Sequence, residues 1–263
     1  METLKLLASR VRVARTGAAL CAALLLSISV QAGAQVPFAP LQDGALIPAP
    51  ALQQLQVVTQ RDLGRAPPPK VNMLKAVPGS KPTAGKPMVL YIGAEFCPYC
   101  AAMRWPLVLA LMRFGSFADL KATRSSSTDI DANTPTFSFV GAKYTSRWLD
   151  FEAVETADRH QRPLEKPSKA QMDRFKRFDR PPYTNYPGSI PFLDINDQWI
   201  QVGSPVNPGL MKGLDWFGIA AQLDAGKGPL WAGVLGEADR LTRTLCKLTK
   251  GQPAKTCKAL AGD

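Results

Sequence analysis

Hydrophobic and polar positions along this chain lay out most of a fold before any chemistry is considered. Met88-Val89-Leu90-Tyr91-Ile92 is an unbroken apolar run closed by Gly93, which reads as a buried central strand. A helix-like stretch follows from Ala101 to Phe114, with Pro106 in its interior where it should kink the axis. Leu120 to Thr123 reads as the next strand, followed by Ser125-Ser126-Ser127. Phe137 to Val140 and Tyr144 to Val154, rich in aromatic and β-branched residues, read as a pair of strands turning at Gly141-Ala142. Met172, Phe175 and Phe178 recur at helical spacing behind a capping Ser168. Ile190 to Ile195, a turn at Asn196-Asp197, and Trp199 to Val202 form a hairpin pattern. Leu210, Leu214, Phe217 and Ala221 share one face of a helix expected from Pro208 to the break at Gly226 to Pro229, and Trp231, Val234, Ala238, Leu241 and Leu245 mark another. There is no internal repeat.

Upstream of the first strand the pattern fails. Gln35 to Pro87 holds ten prolines in 53 residues, so it reads as a wrapping arm or tether with one short helix over Leu52 to Leu63 and a stiff Pro67-Pro68-Pro69. The first 34 residues read as an export signal: Lys5, Arg10, Arg12 and Arg15 precede the apolar Gly17 to Val30, and Ala32-Gly33-Ala34 has the small-x-small cleavage pattern. Cys21 lies in mid-stretch behind bulky Leu20, which disfavours a lipoprotein signal. Cleavage before Gln35 would make the protein periplasmic or secreted, and an uncleaved leader would tether it to the inner membrane. The expected organisation is a signal peptide over 1–34, a Pro-rich extension over 35–87, a central domain over 88–228 and a C-terminal helical extension over 229–263.

Charge narrows the partners only a little. The chain carries +11, of which the leader holds +3, leaving +8. Nucleic acid is a poor explanation, because an exported chain seldom meets any and no nucleic-acid motif accompanies the charge. Eight Lys or Arg against three acids fall between Arg159 and Arg180, which reads first as a solvated helix face and second as a docking patch.

Cysteine usage changes the picture more. Without the leader four cysteines remain, Cys97, Cys100, Cys246 and Cys257, and an even number in an exported chain suggests two disulfides. Cys97-Pro98-Tyr99-Cys100 sits between the apolar strand and its helix, so its two thiols are one turn apart at a helix amino terminus. That position stabilises negative charge, which makes Cys97 the expected attacking thiolate. A structural disulfide is the bland alternative. A zinc site would need four ligands, and beyond the distant cysteine pair the chain offers only His160, so neither metal nor organic cofactor is expected. Cys246 and Cys257 bracket Gly251-Gln252-Pro253, where a staple between two short helices and an electron relay to the dithiol both stay open. Of the nearby aromatics, Tyr99 is forced towards the rim, whereas Phe96 and Trp105 read as core.

Strand, Cys-x-x-Cys, helix, inserted elements, Ile-Pro, hairpin, helix is an order that resembles the thioredoxin fold over about Met88 to Leu223. The resemblance implies a mixed α/β fold with a strand-rich insertion between the first helix and a cis proline, here Pro191, lying beside the dithiol. Ile190 would then face substrate through its backbone, and Pro98 and Tyr99 would complete the substrate rim. More narrowly, Tyr91 to Ala102, Ser125-Ser126-Ser127-Thr128-Asp129 and Cys246-Lys247-Leu248-Thr249 resemble domain-of-unknown-function family 929. Thioredoxins carry a buried acid six residues before the first cysteine, and Tyr91 stands there, so Glu95 or a water is expected to take the proton of Cys100. Pro-Tyr between the cysteines is similar to glutaredoxins, which are less reducing than thioredoxin, roughly −200 to −230 mV against about −270 mV. The implied activity is thiol-disulfide exchange on cysteine-bearing proteins, with a membrane redox partner in reserve. The alternative is a thioredoxin-like binding module whose disulfides only stabilise it.

Overall fold

The structure is a computed structural model that describes residues 39–81 and 85–261; the expected leader with Cys21 lies outside them. From the Pro-rich stretch come helix α1 (Ala49–Arg61) and strand β1 (Leu74–Ala76). Then follow β2 (Met88–Gly93), α2 (Pro98–Met112), β3 (Ser116–Ala118), β4 (Lys121–Arg124), β5 (Pro135–Ser138), β6 (Lys143–Thr145) and β7 (Asp150–Glu155). The chain continues through α3 (Lys169–Phe178), β8 (Phe192–Ile195), β9 (Trp199–Val202), a 3-10 turn (Pro208–Met211), α4 (Trp216–Asp224), α5 (Pro229–Leu248) and α6 (Ala254–Ala259). Mixed α/β is therefore the class.

The main sheet has the order β1-β9-β8-β2-β7, with β2 and β7 parallel and the other neighbours antiparallel. Because side chains alternate across a strand, β2 feeds two cores. Val89 and Tyr91 face the large core built by α1, α2, α4 and α5, whereas Leu90 and Ile92 join Phe178, Phe192 and Ile200 on the other face. A capping box at Ser168 and Gln171 starts α3, and Phe175 packs edge-on against Phe192. Its cations are largely engaged: Arg174 bonds the buried Asp194, Arg177 bonds Asp197, and Lys169 bonds Asp173.

The Pro-rich arm lies against the core rather than away from it. Leu55 and Val58 of α1 are fully buried, and β1 extends the sheet beside β9. The Pro67 carbonyl comes so close to α5 that a Cβ on Gly236 would lie 2.2 Å from it. Helix α5 in turn covers α2, where buried Arg113 bonds Asp239 at 2.7 Å and Thr242 at 2.8 Å.

Two expectations need correction. The segments around Gly141-Ala142 do turn, with Gly141 at φ +75° and Ala142 N–H donating to the Phe139 carbonyl, but they do not pair with each other. β5 pairs with β4, β6 with β3, and β7 with β2. The rings of Phe117, Phe139, Tyr144 and Phe151 cluster with centroids 4.9 to 6.2 Å apart, so the aromatic pattern encoded burial in a shared cluster and not strand pairing. The single helix expected from Pro208 is two elements, because Gly213 at φ +77° breaks it and Asp215 caps a fresh start by accepting from Gly218 N–H. Smaller shifts affect α1, which starts and ends earlier than Leu52 to Leu63, and α2, which starts at Pro98 and runs unbroken through Pro106.

Candidate active site

The apolar strand β2 ends at Gly93 and delivers Ala94 to Phe96 into a tight approach to α2. Glu95 N–H donates to the Ala157 carbonyl and the Phe96 carbonyl accepts from Ser126 N–H, so the approach is fixed from both flanks. Cys97 is the N-cap of α2: its sulfur accepts the Cys100 N–H at 3.3 Å. Pro98 fills the first helical position, where its missing N–H costs nothing. Cys100 is fully buried, Cys97 nearly so, and Tyr99 stands 46 % exposed between them on the rim. The two thiols are not bonded to each other.

The second landmark arrives from far along the chain. The Ile190–Pro191 peptide is cis, and the Cys97 thiol points at the Ile190 carbonyl at 3.9 Å. Gly203 N–H donates to the Pro191 carbonyl, which ties this corner to the β8-β9 hairpin. The structure thus brings Cys97, Pro98, Tyr99, Cys100, Ile190 and Pro191 together. Glu95 is adjacent, but its carboxylate accepts from the Thr123 hydroxyl at 3.3 Å and bonds neither cysteine. His160 is exposed.

The environment separates the two thiols. Cys97 falls from the ordinary 9.0 to about 7: hydrogen bonding from the Cys100 thiol is the largest cause, burial opposes it, and the Cys100 N–H and the Arg104 charge add to the fall. Cys100 moves well above the usual thiol range, chiefly through burial and then through its neighbour Cys97. The two thiols are thereby moved apart: Cys97 towards the thiolate, Cys100 towards the protonated form.

Sequence reading missed what lies beneath. Arg104, one turn after Cys100 in α2, is fully buried and binds Glu155 of β7 through two bonds, Nε to Oε1 at 2.8 Å and Nη2 to Oε2 at 2.5 Å. Burial works against the Arg104 charge, yet Glu155 and Tyr91 raise its pKa, while burial pulls Glu155 above the carboxylate range against the lowering by Arg104. The bidentate geometry belongs to an ionised pair. Tyr91 faces the same pair, with the guanidinium carbon 5.7 Å from its ring centre. A detectable signal existed: Arg104 is the only charge in the apolar sequence of α2.

Cys246 and Cys257 are disulfide-bonded with Cα atoms 5.5 Å apart, stapling α5 to α6. Lys247 lies over the Trp199 ring at 5.4 Å, and Trp199 pairs with Ile195, which pairs with Val89 at the start of β2. The dithiol follows the other end of β2. This placement favours the staple over a direct relay.

Fold and site together define a mixed α/β protein with an N-capping dithiol beside a cis proline. The family described as "Domain of unknown function (DUF929)" matches residues 73–247, about two thirds of the chain, and the protein belongs to it. No curated protein and no solved structure matches the chain. Among the described residues no helix is long and apolar enough to cross a membrane.

Proposed function

We propose that this protein is an exported thiol-disulfide oxidoreductase of thioredoxin-like fold, acting on cysteine-bearing proteins through Cys97 and Cys100. The observation that carries the proposal is the meeting of Cys97 with the Ile190 carbonyl at 3.9 Å, across 93 residues of sequence. A dithiol that receives an extended client strand needs a backbone acceptor beside its attacking sulfur, because the client's sulfur must reach Cys97 while its backbone is held; the Ile190 carbonyl stands at that place. Export rests on the leader, and a membrane redox partner would reset the dithiol.

In the reducing direction the Cys97 thiolate attacks a client disulfide. The client S–S bond breaks, a Cys97–client disulfide forms, and one client sulfur leaves as thiolate. Cys100 then loses its proton, to water or to Glu95, and attacks the Cys97 sulfur. The mixed disulfide breaks, the second client thiolate departs, and two electrons have passed from the dithiol to the client. Client oxidation is the same sequence reversed, and the reduction potential decides which prevails.

The test is trapping. Cys100→Ser should accumulate mixed disulfides with clients, and Cys97→Ser should form none. A Cys97–Cys100 potential above about −230 mV supports the proposal, whereas one below about −300 mV marks a structural bridge and defeats it.

A further inference from the structure

Resting on this redox reading, we infer that the buried Arg104–Glu155 pair is a positioning device for the dithiol: Arg104 holds the Cys97 sulfur in its charged, attacking form, and Glu155 limits how much of that charge is felt. The placement follows from register. Glu155 pairs with Gly93, the last residue of β2, and Tyr91 stands two residues earlier on the same face, towards α2. Gly93 has no side chain, and the Tyr91 hydroxyl occupies the space: a Cβ there would lie 2.2 Å from it. Arg104 comes down from α2 onto this spot, four residues after Cys100 and so on the same helix face.

Two polar atoms are left over. Glu155 takes Nε and Nη2 of Arg104, but Nη1 has no hydrogen-bond partner, and neither has the Tyr91 hydroxyl. A buried donor without a partner is destabilising. A pair that served packing alone would gain nothing from this remainder. Negative charge on the dithiol supplies the missing compensation, because Arg104 favours the thiolate form of both cysteines. The charged and titratable groups facing Arg104 are Tyr91 from β2, Glu155 from β7 and Cys97 and Cys100 at the start of its own helix, and Glu95 adds negative charge on the Glu155 side.

The experiment titrates the Cys97 thiolate by its ultraviolet absorbance in the reduced full-length protein and measures the dithiol potential alongside. Arg104→Met with Glu155→Leu removes both charges, a replacement that buried pairs often tolerate without loss of stability. It should raise the Cys97 midpoint so that about tenfold less thiolate is present below the midpoint, a change worth about 30 mV towards a more reducing potential at alkaline pH, where Cys97 is ionised in both proteins. Glu155→Gln leaves Arg104 uncompensated and should shift both quantities the other way. Arg104→Lys, which keeps the charge, should restore the midpoint towards wild type and serves as the second comparison if Glu155→Gln does not fold. Midpoints that stay put, or move in one direction in both variants, overturn the inference and leave the pair structural. A wild-type dithiol that stays oxidised in strongly reducing dithiol buffers defeats the redox reading itself, whatever the variants do.

Discussion

Raising the pH through 7 should change how many protons accompany reduction of the Cys97–Cys100 disulfide. Below about 7 both thiols of the reduced form are protonated, so two protons follow two electrons and the potential falls by about 59 mV per pH unit. Above that point Cys97 is a thiolate while Cys100, lifted by burial, keeps its proton. One proton then follows two electrons, and the slope halves to about 30 mV per unit. Two units above the break, at pH 9, the potential should lie about 60 mV above the line extrapolated from acid conditions. The same shift has a stability sign. The folded pKa of Cys97 is depressed from 9.0 to about 7, so its contribution is fully present above pH 9 and is lost as the pH falls through 7. At 1.36 kcal/mol per unit this amounts to about 3 kcal/mol, confined to the reduced protein, and Cys100 opposes it only above its ordinary range. The assay equilibrates the protein with dithiol buffers from acid to alkaline pH and counts blocked thiols by mass. A single slope of about 59 mV maintained to pH 9 would refute the reasoning, since it would mean that Cys97 titrates as an ordinary thiol.

Two further outcomes test the frame around the site. Replacing Cys246 and Cys257 together by serine opens a cross-link between residues 11 apart and should cost about 2–3 kcal/mol in urea unfolding. The Cys97–Cys100 potential should stay within about 30 mV of wild type, and a larger move would revive the relay. Gly236→Ala should destabilise the protein by about 1–3 kcal/mol in thermal melts, because the new methyl meets the Pro67 carbonyl at 2.2 Å. A gain of about 0.5–1 kcal/mol, the usual result of that change in an open helix, would mean that the Pro-rich arm does not rest on α5.

What the sequence made legible, and what it hid, divides along the range of the interactions. The dithiol on its helix start, the cap at Ser168 and the β8-β9 hairpin are written in contiguous residues, and all three stand where the local pattern put them. The pairings of β5, β6 and β7 are not local: each strand finds a partner outside the Gly141 turn, and the aromatic residues that suggested a hairpin meet in one cluster from several segments. The Pro-rich stretch left a wrapping arm and a tether both open, because prolines exclude long elements; the burial of Ala51, Leu55, Val58 and Thr59 of α1 fits the wrapping arm.

Arg104 is the instructive case, for its half of the information was visible. An arginine set among Ala101-Ala102-Met103 and Trp105-Pro106-Leu107 has no face of the helix from which to reach water, so the sequence already demanded a buried partner. Nothing local could supply it: Glu155 lies 51 residues away on a strand whose pairing the sequence concealed, and the register of β7 with β2 is what carries the carboxylate beneath Gly93. The same register sets Tyr91 beside the pair: Glu155 enters from the neighbouring strand, and Tyr91 fills the room that Gly93 leaves open. The tyrosine at position 91 and the isolated charge at 104 are therefore one feature, divided between two strands and a helix.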